Sequence, residues 1–361
     1  MKVIIIGAGI GGLMCAIACR RENLDVVVLE RAPALAPIGA GIQIPPNAAR
    51  VARQLGVLPD LKAKSIILES IEYVRYANGK LLFKIDGDDE VIKSFGETWM
   101  VIARPDYHEV LWNTAKEAGA DLRLNCEMEA INFEDSSIHL VGGEKLNADV
   151  IVGADGLWSR ARNLLIGRDS QPVETGDLAY RGTIRLEDLQ RLNDPGVSKL
   201  IKKRTATCWM GPGRHCVFYP LKGGQEFNLV LLRPDDLPKD VRQAPGDLNE
   251  MKGSFDGWES RQPGHLSQVL EIYESLRKAR TTLNVQGATS NQHAYHVPDG
   301  PEQEERDAWL LSSRRGPVPS GFTFADSGYM RAMLAFDPVA DSIRTFKAWE
   351  DEQPEIVAGK L

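Results

Sequence analysis

The stretch VIIIGAGIGGL at residues 3–13 limits what this chain can fold into more than any other. A β-branched run meets glycines at 7, 9 and 12, the G-x-G-x-x-G spacing, and Ile10, Leu13, Met14 and Ile17 then fall on one helical face. Gly7 permits a tight turn, Gly9 lets the main chain approach a pyrophosphate, and Gly12 allows helix and strand to pack closely. The helix N-terminus offers N–H groups and the positive end of a dipole to phosphate. A second β run, DVVVLE, closes on Glu30, eighteen residues after Gly12, where a carboxylate can accept hydrogen bonds from a ribose. Glycines alone would suit a turn in many α/β proteins. Strand, helix, strand and acid in this order predict a dinucleotide-binding unit. Glu30 favours a ribose with a free 2′-hydroxyl, hence FAD or NAD at this site and not NADP.

The remaining chain sets the bounds. Its 361 residues suit two joined domains better than one core, and 43% hydrophobic with 26% charged residues is ordinary for a globular protein. A net charge of −7 argues against a general binder of nucleic acid or anionic membrane. Five cysteines, at 15, 19, 126, 208 and 216, show no metal-ligand spacing, so no metal is expected and free, mostly buried thiols in a reducing compartment fit best. Glycines interrupt the apolar N-terminal run and a second β run follows at once, which is no export signal. No apolar stretch is long enough to span a bilayer, and a cytoplasmic location is the expectation.

After Glu30 comes a second glycine-rich loop, Gly39–Gly41, running into a proline-started helix in GAGIQIPPNAARV. Two further stretches, RPDYHEVL and VGADGLWSRAR, complete a set with GAGIGGL. With these four the chain resembles the FAD-dependent aromatic hydroxylases, the p-hydroxybenzoate hydroxylase-like flavoprotein monooxygenases, and within them a salicylate hydroxylase-like fungal branch. The resemblance implies FAD as cofactor, with Gly7, Gly9, Gly12, Glu30 and Gly41 around it. It also implies that Arg104, before the helix opened by Pro105, reaches the flavin. Asp155, in the Gly153–Gly156 turn, would help to organise FAD near the NAD(P)H donor.

Between 175 and 235 the period changes to short β runs, DLAYRGTIR, TATCWM, RHCVFYPL and EFNLVLLR, read as an antiparallel sheet walling a substrate pocket. Alternation leaves Arg181 and Tyr219 open between two readings: an outward arginine with a core tyrosine, or a pair holding a substrate anion, for which an arginine fork is well suited. The resemblance favours the second, with His215 as an alternative partner.

The family's third FAD motif, a strand closing in Gly-Asp followed by a proline- and glycine-rich turn, should stand near FDGWESRQPGHLSQVLEIYESLRKAR at 255–280. Only the flanks of that motif are present. Asp326 in FTFADSGYM follows an aromatic run but lacks the turn, and is rejected as a substitute. The missing strand is expected beside Val3–Ile6, so that its loss would bare that strand's edge and weaken FAD binding.

The expected fold is thus α/β: a glutathione-reductase-like FAD domain over 1–174, discontinuous in sequence, an inserted antiparallel β-sheet substrate domain over 175–240, and a helical C-terminal region over 241–361, with Leu266, Val269, Leu270, Tyr273 and Leu276 at helical spacing. The expected activity is hydroxylation of a phenol, phenolic acid or aromatic polyketide with FAD, NAD(P)H and O2, with a place in secondary metabolism. An inactive or truncated relative and an NAD-dependent dehydrogenase are the alternatives.

Overall fold

In the structure, a computed structural model, residues 1–35, 39–87, 95–237, 248–256, 258, 281–283, 295–312, 334–335 and 340 are described. The segments carrying the expected helix at 266–276 and Asp326 lie outside them.

The glycine signature folds as its spacing requires. Strand β1 (Lys2–Ile6) leads through Gly7 into helix α1 (Ile10–Arg21), and β2 (Asp25–Leu29) returns parallel to β1 with Val3 opposite Val26 and Ile6 opposite Leu29. β2 also pairs with β8 (Asp121–Arg123), and β1 with β12 (Val150–Gly153), giving the parallel order β12-β1-β2-β8. The unbroken apolar runs of β1 and β2 follow from burial on both faces. Val3, Ile5, Val26 and Val28 pack toward α1 and helix α4 (Arg104–Glu117), whereas Ile4, Ile6, Val27 and Leu29 pack toward a three-stranded antiparallel layer. That layer is β9 (Met128–Asn132), β10 (Ser137–Leu140) and β11 (Lys145–Asn147). Each fully buried Val or Ile contributes roughly 1.5–3 kcal/mol to this stack.

β1 is therefore an inner strand. The expectation that the missing Gly-Asp strand leaves β1 as an edge is corrected: the neighbour on that side is β12, from the VGADG stretch. Among the described residues β12 pairs only with β1, and its Val150 is 42% exposed.

The loop after Glu30 forms a second small sheet. β3 (Gly41–Ile44) and β4 (Ile66–Ile67) flank β7 (Met100–Ala103), with α2 (Pro46–Gln54) and α3 (Leu58–Lys64) between the first two. In α4, Val110, Leu111 and Ala115 are buried as their spacing requires.

The four runs between 175 and 235 form β13 (Asp177–Arg185), β14 (Thr205–Gly211), β15 (Arg214–Leu221) and β16 (Glu226–Pro234). The sheet is larger than the sequence announces, with order β17-β13-β16-β15-β14-β5-β6. β5 (Ser70–Arg75) and β6 (Leu81–Asp86) come from earlier in the chain and β17 (Thr281–Leu283) from later. The β14–β5 pairing is parallel, so the sheet is mixed and not purely antiparallel. No hairpin can join strands so distant in sequence, which leaves either direction open to them.

One face of this sheet, carrying Tyr180, Ile184, Phe218, Phe227 and Leu231, is apolar and packs with Met251, Phe255 and Trp258. α5 (Arg160–Ile166) follows β12, α6 (Leu186–Arg191) and α7 (Pro195–Leu200) follow β13, and α8 (Leu248–Ser254) supplies Met251. At the other end of the sheet, Arg75 of β5 holds Asp299 at 2.9 Å and Asp307 at 2.7 Å, fastening α9 (Pro301–Leu311) to the edge. All five cysteines are free thiols. Burial and the neighbouring Cys19 push Cys15 up to about 11, in keeping with a place against the core.

Candidate functional site

The predicted residues fall into two groups. The first surrounds a cavity of about 290 Å³ at the C-terminal ends of β1, β2 and β12, lined by Gly7, Gly9, Glu30, Met128, Asp155 and Trp158 among others. Gly7 has φ +106°, and a Cβ there would lie 2.4 Å from the Ala154 carbonyl oxygen, so only glycine makes this turn. Gly12 stands behind the cavity, where a Cβ would lie 2.0 Å from the Gly7 carbonyl oxygen. At Gly9, by contrast, a Cβ would meet nothing within 4 Å. Gly9 caps α1 without a side-chain hydrogen bond.

The Glu30 carboxylate is oriented by main-chain donors. Oε2 accepts from Ala8 N–H at 3.0 Å and Oε1 from Ala32 N–H at 2.9 Å, and each oxygen retains a second acceptor position. On the far side of the turn, a ring nitrogen of His108 lies 2.6 Å from the Ala8 carbonyl oxygen. The sequence reading passed over His108, although it stands inside RPDYHEVL. Asp155 accepts from Ser159 Oγ at 2.5 Å and from Ala161 N–H at 3.0 Å, so it shapes the start of α5 while lining the cavity.

The second group gathers where loop 39–41 meets the seven-stranded sheet. Arg104 N–H donates to the Ala40 carbonyl at 2.9 Å, and a Cβ on Gly39, at φ +109°, would fall 2.8 Å from Arg104 Cδ. The loop thus lies directly on the Arg104 side chain. Gly41 is equally confined, since a Cβ there would sit 2.5 Å from the Tyr219 ring. Its N–H donates to Asn228 Oδ1 at 2.8 Å.

Strand alternation places Arg181, Tyr219 and Asn228 on the sheet face opposite Tyr180 and Phe218, the face that meets this loop. Arg181 is not the outward, solvated arginine of the blander reading. Burial pulls its guanidinium below the ordinary value, an effect that Tyr219 partly opposes. Tyr219 is buried, and its hydroxyl is raised by that burial and lowered in part by Arg181. The two side chains therefore share one desolvated environment, with a cation and a phenol able to meet an anionic oxygen.

His215, the alternative partner, lies elsewhere on the same strand. Its Nδ1 is 2.8 Å from His296 Nε2, and the Tyr295 ring packs edge-on at 4.9 Å. Burial and His296 hold His215 well below the ordinary imidazole value, and burial with the nearby Arg214 brings His296 to about 4. Among the described residues no group of three or more His, Cys, Asp or Glu side chains is placed to hold a metal, and no helix is long and apolar enough to cross a membrane.

Known proteins match this arrangement. Residues 1–212 fit the family model described as the FAD binding domain, more than half of the chain. The FAD-dependent monooxygenase OpS4 of Beauveria bassiana is 32% identical over 388 residues, covering 87% of this chain and 90% of its own length. That match is longer than the 361 residues available here, so the relative carries positions that this chain lacks. 3-Hydroxybenzoate 6-hydroxylase 1 of Aquipseudomonas alcaligenes is 36% identical over 233 residues, 64% of this chain and 57% of the relative. Among solved structures, CtdE in complex with FAD and a substrate has the same fold, with a TM-score of 0.67 at 21% identity over 90% of this chain and 80% of that one. 

The residues present suit FAD: an open approach at Gly9, a carboxylate with free acceptor positions, and a cavity between them, near the lower end of ligand-pocket sizes. By its family match, its relatives and this geometry, the chain belongs to the FAD-dependent monooxygenases that include the aromatic hydroxylases.

Proposed function

We propose that this monooxygenase hydroxylates a small aromatic bearing a phenol or carboxylate, with NAD(P)H as electron donor and O2 as oxygen source. The observation that carries the reading is the burial of Arg181 beside Tyr219 on the sheet face that meets loop 39–41 of the dinucleotide domain. When bound, FAD supplies the redox chemistry of oxygen insertion.

The protein's own contribution is placement. Glu30 would accept from the adenosine ribose, and Gly9 with the start of α1 would take the pyrophosphate. Gly41 and Arg104 would border the flavin end, leaving Arg181 and Tyr219 to hold the substrate oxygen. A phenol held as its anion is the more electron-rich ring, and a desolvated guanidinium stabilises that form.

In a preparation that turns over, Arg181→Ala should raise the KM for 3-hydroxybenzoate or salicylate about tenfold or more while flavin stays bound. Loss of flavin with unchanged KM would place Arg181 at the cofactor and overturn the pocket assignment. A second reading, a relative that keeps the fold but holds FAD weakly, is favoured by the outer side of β12, which has no strand partner among the described residues, and by the positions that OpS4 has and this chain lacks.

A further inference from the structure

Asn228 is fully buried at the centre of the sheet face just described, between Thr183 on β13 and Tyr219 on β15. Its amide orientation is decided by its neighbour. Gly41 N–H can only donate, so the atom 2.8 Å from it is Oδ1, and Nδ2 must point away from the loop. That Nδ2 is buried and has no hydrogen-bond acceptor among the described residues. A buried amide donor is ordinarily satisfied, and each exception calls for a reason.

The surroundings supply one. The Arg181 guanidinium, which can only donate, stands on the same face, while the Gly41 N–H is already taken up by Oδ1. A buried Nδ2 without an acceptor among the described residues, on the face that carries a cationic donor, suits a ligand that brings an acceptor oxygen.

We propose that Asn228 is a specificity-determining residue: Oδ1 clamps loop 39–41 through Gly41, and Nδ2 donates to an acceptor oxygen of the bound ligand. That oxygen is either the anionic oxygen of the aromatic substrate or a ring carbonyl of the flavin. The inference rests on the functional reading above and adds to it a residue that fixes which end of the ligand enters. Asn228 stands in EFNLVLLR, a stretch whose alternation marks it as strand and gives no sign of this role.

The test uses the full chain. FAD is titrated against it by quenching of flavin fluorescence, and 3-hydroxybenzoate is then titrated against the FAD complex by the change in flavin absorbance. Asn228→Asp keeps the acceptor for Gly41 N–H and replaces the donor by a second acceptor. Asn228→Ser removes the reach without adding charge, and guards against a variant whose buried carboxylate unfolds it or pairs with Arg181. Both variants should bind one ligand about tenfold more weakly or worse. Weaker 3-hydroxybenzoate with FAD unchanged assigns the substrate oxygen, and weaker FAD assigns the flavin carbonyl. Unaltered affinity for both ligands in a folded variant overturns the role of Asn228 alone. A wild-type chain that binds no FAD overturns the functional reading, and this inference with it.

Discussion

Gly9 and Gly12 stand in one turn yet answer to different constraints, and substitution separates them. A Cβ at Gly9 meets nothing within 4 Å, so Gly9→Val is expected to melt within a few degrees of wild type and to lose FAD binding, because its methyl groups would fill the pyrophosphate approach. Gly12→Val drives atoms into the Gly7 carbonyl and should destabilise the fold itself. Thermal melts beside FAD titrations distinguish the two, and a Gly9→Val variant with normal FAD affinity would sink the assignment. Glu30→Ala removes an acceptor held by two main-chain donors and should weaken FAD binding by about 1.5–3 kcal/mol.

The imidazole pair gives a second test at this scale. Burial keeps His296 neutral down to about 4, against an ordinary value of 6.5. As the pH falls through 6.5 the unfolded chain takes up a proton that the folded chain refuses, so stability falls over the window from 6.5 to about 4. Between those limits one such group costs up to about 1.4 kcal/mol per pH unit. His296→Gln should flatten this part of a curve of melting temperature against pH relative to wild type, and an unchanged slope would mean that the pair does not titrate as its burial implies.

Among the elements, β13 shows how far strand patterning reaches. Alternation puts Tyr180 and Arg181 on opposite faces, but it cannot say which face is covered by helices and which meets loop 39–41. The local sequence AYRGTI reads equally well either way. Only the pairing of β13 with β16, and of β16 with β15, brings Arg181 to the face of Tyr219. β12 is the converse case. Its burial is incomplete, with Val150 exposed on the strand that ends the parallel order. Among the described residues its outer edge has no strand partner, and such an edge with apolar side chains invites association with another chain. Val150→Lys is therefore expected to reduce concentration-dependent aggregation, read by light scattering, with little change in melting temperature. Equal aggregation in both forms would show that the edge is covered in solution.

For the whole molecule, the expected consequence of a missing Gly-Asp strand falls on β12 and not on β1, since β12 ends the parallel order among the described residues. The core of the parallel sheet is complete, since β1 is paired on both sides and Ile4 and Ile5 are wholly buried. The glycine turn and Glu30 are placed by β1, α1 and β2, whereas the expected Gly-Asp segment would serve to close the flavin end. Insertion of a relative's Gly-Asp segment between Trp258 and Tyr273 should tighten FAD binding and raise phenol-dependent NAD(P)H oxidation. If the chain as it stands already holds stoichiometric FAD and hydroxylates a phenol, the segment is dispensable and another part of the chain takes its place.

The sequence makes legible the dinucleotide unit, the candidate acid at Glu30 and four strands of the large sheet. It could do so because glycine spacing, apolar period and β-branched runs are local properties that the backbone must obey wherever the segment ends up. It could not show that Ser70–Arg75 and Leu81–Asp86 join that sheet, that β12 takes the place beside β1, or that His215 faces His296. Nor could it show that Gly41 rests on Tyr219 and Asn228, residues far from it along the chain. Those contacts were decided by tertiary structure, because which buried donor meets which acceptor depends on strand order and register, and neither leaves a period in the chain.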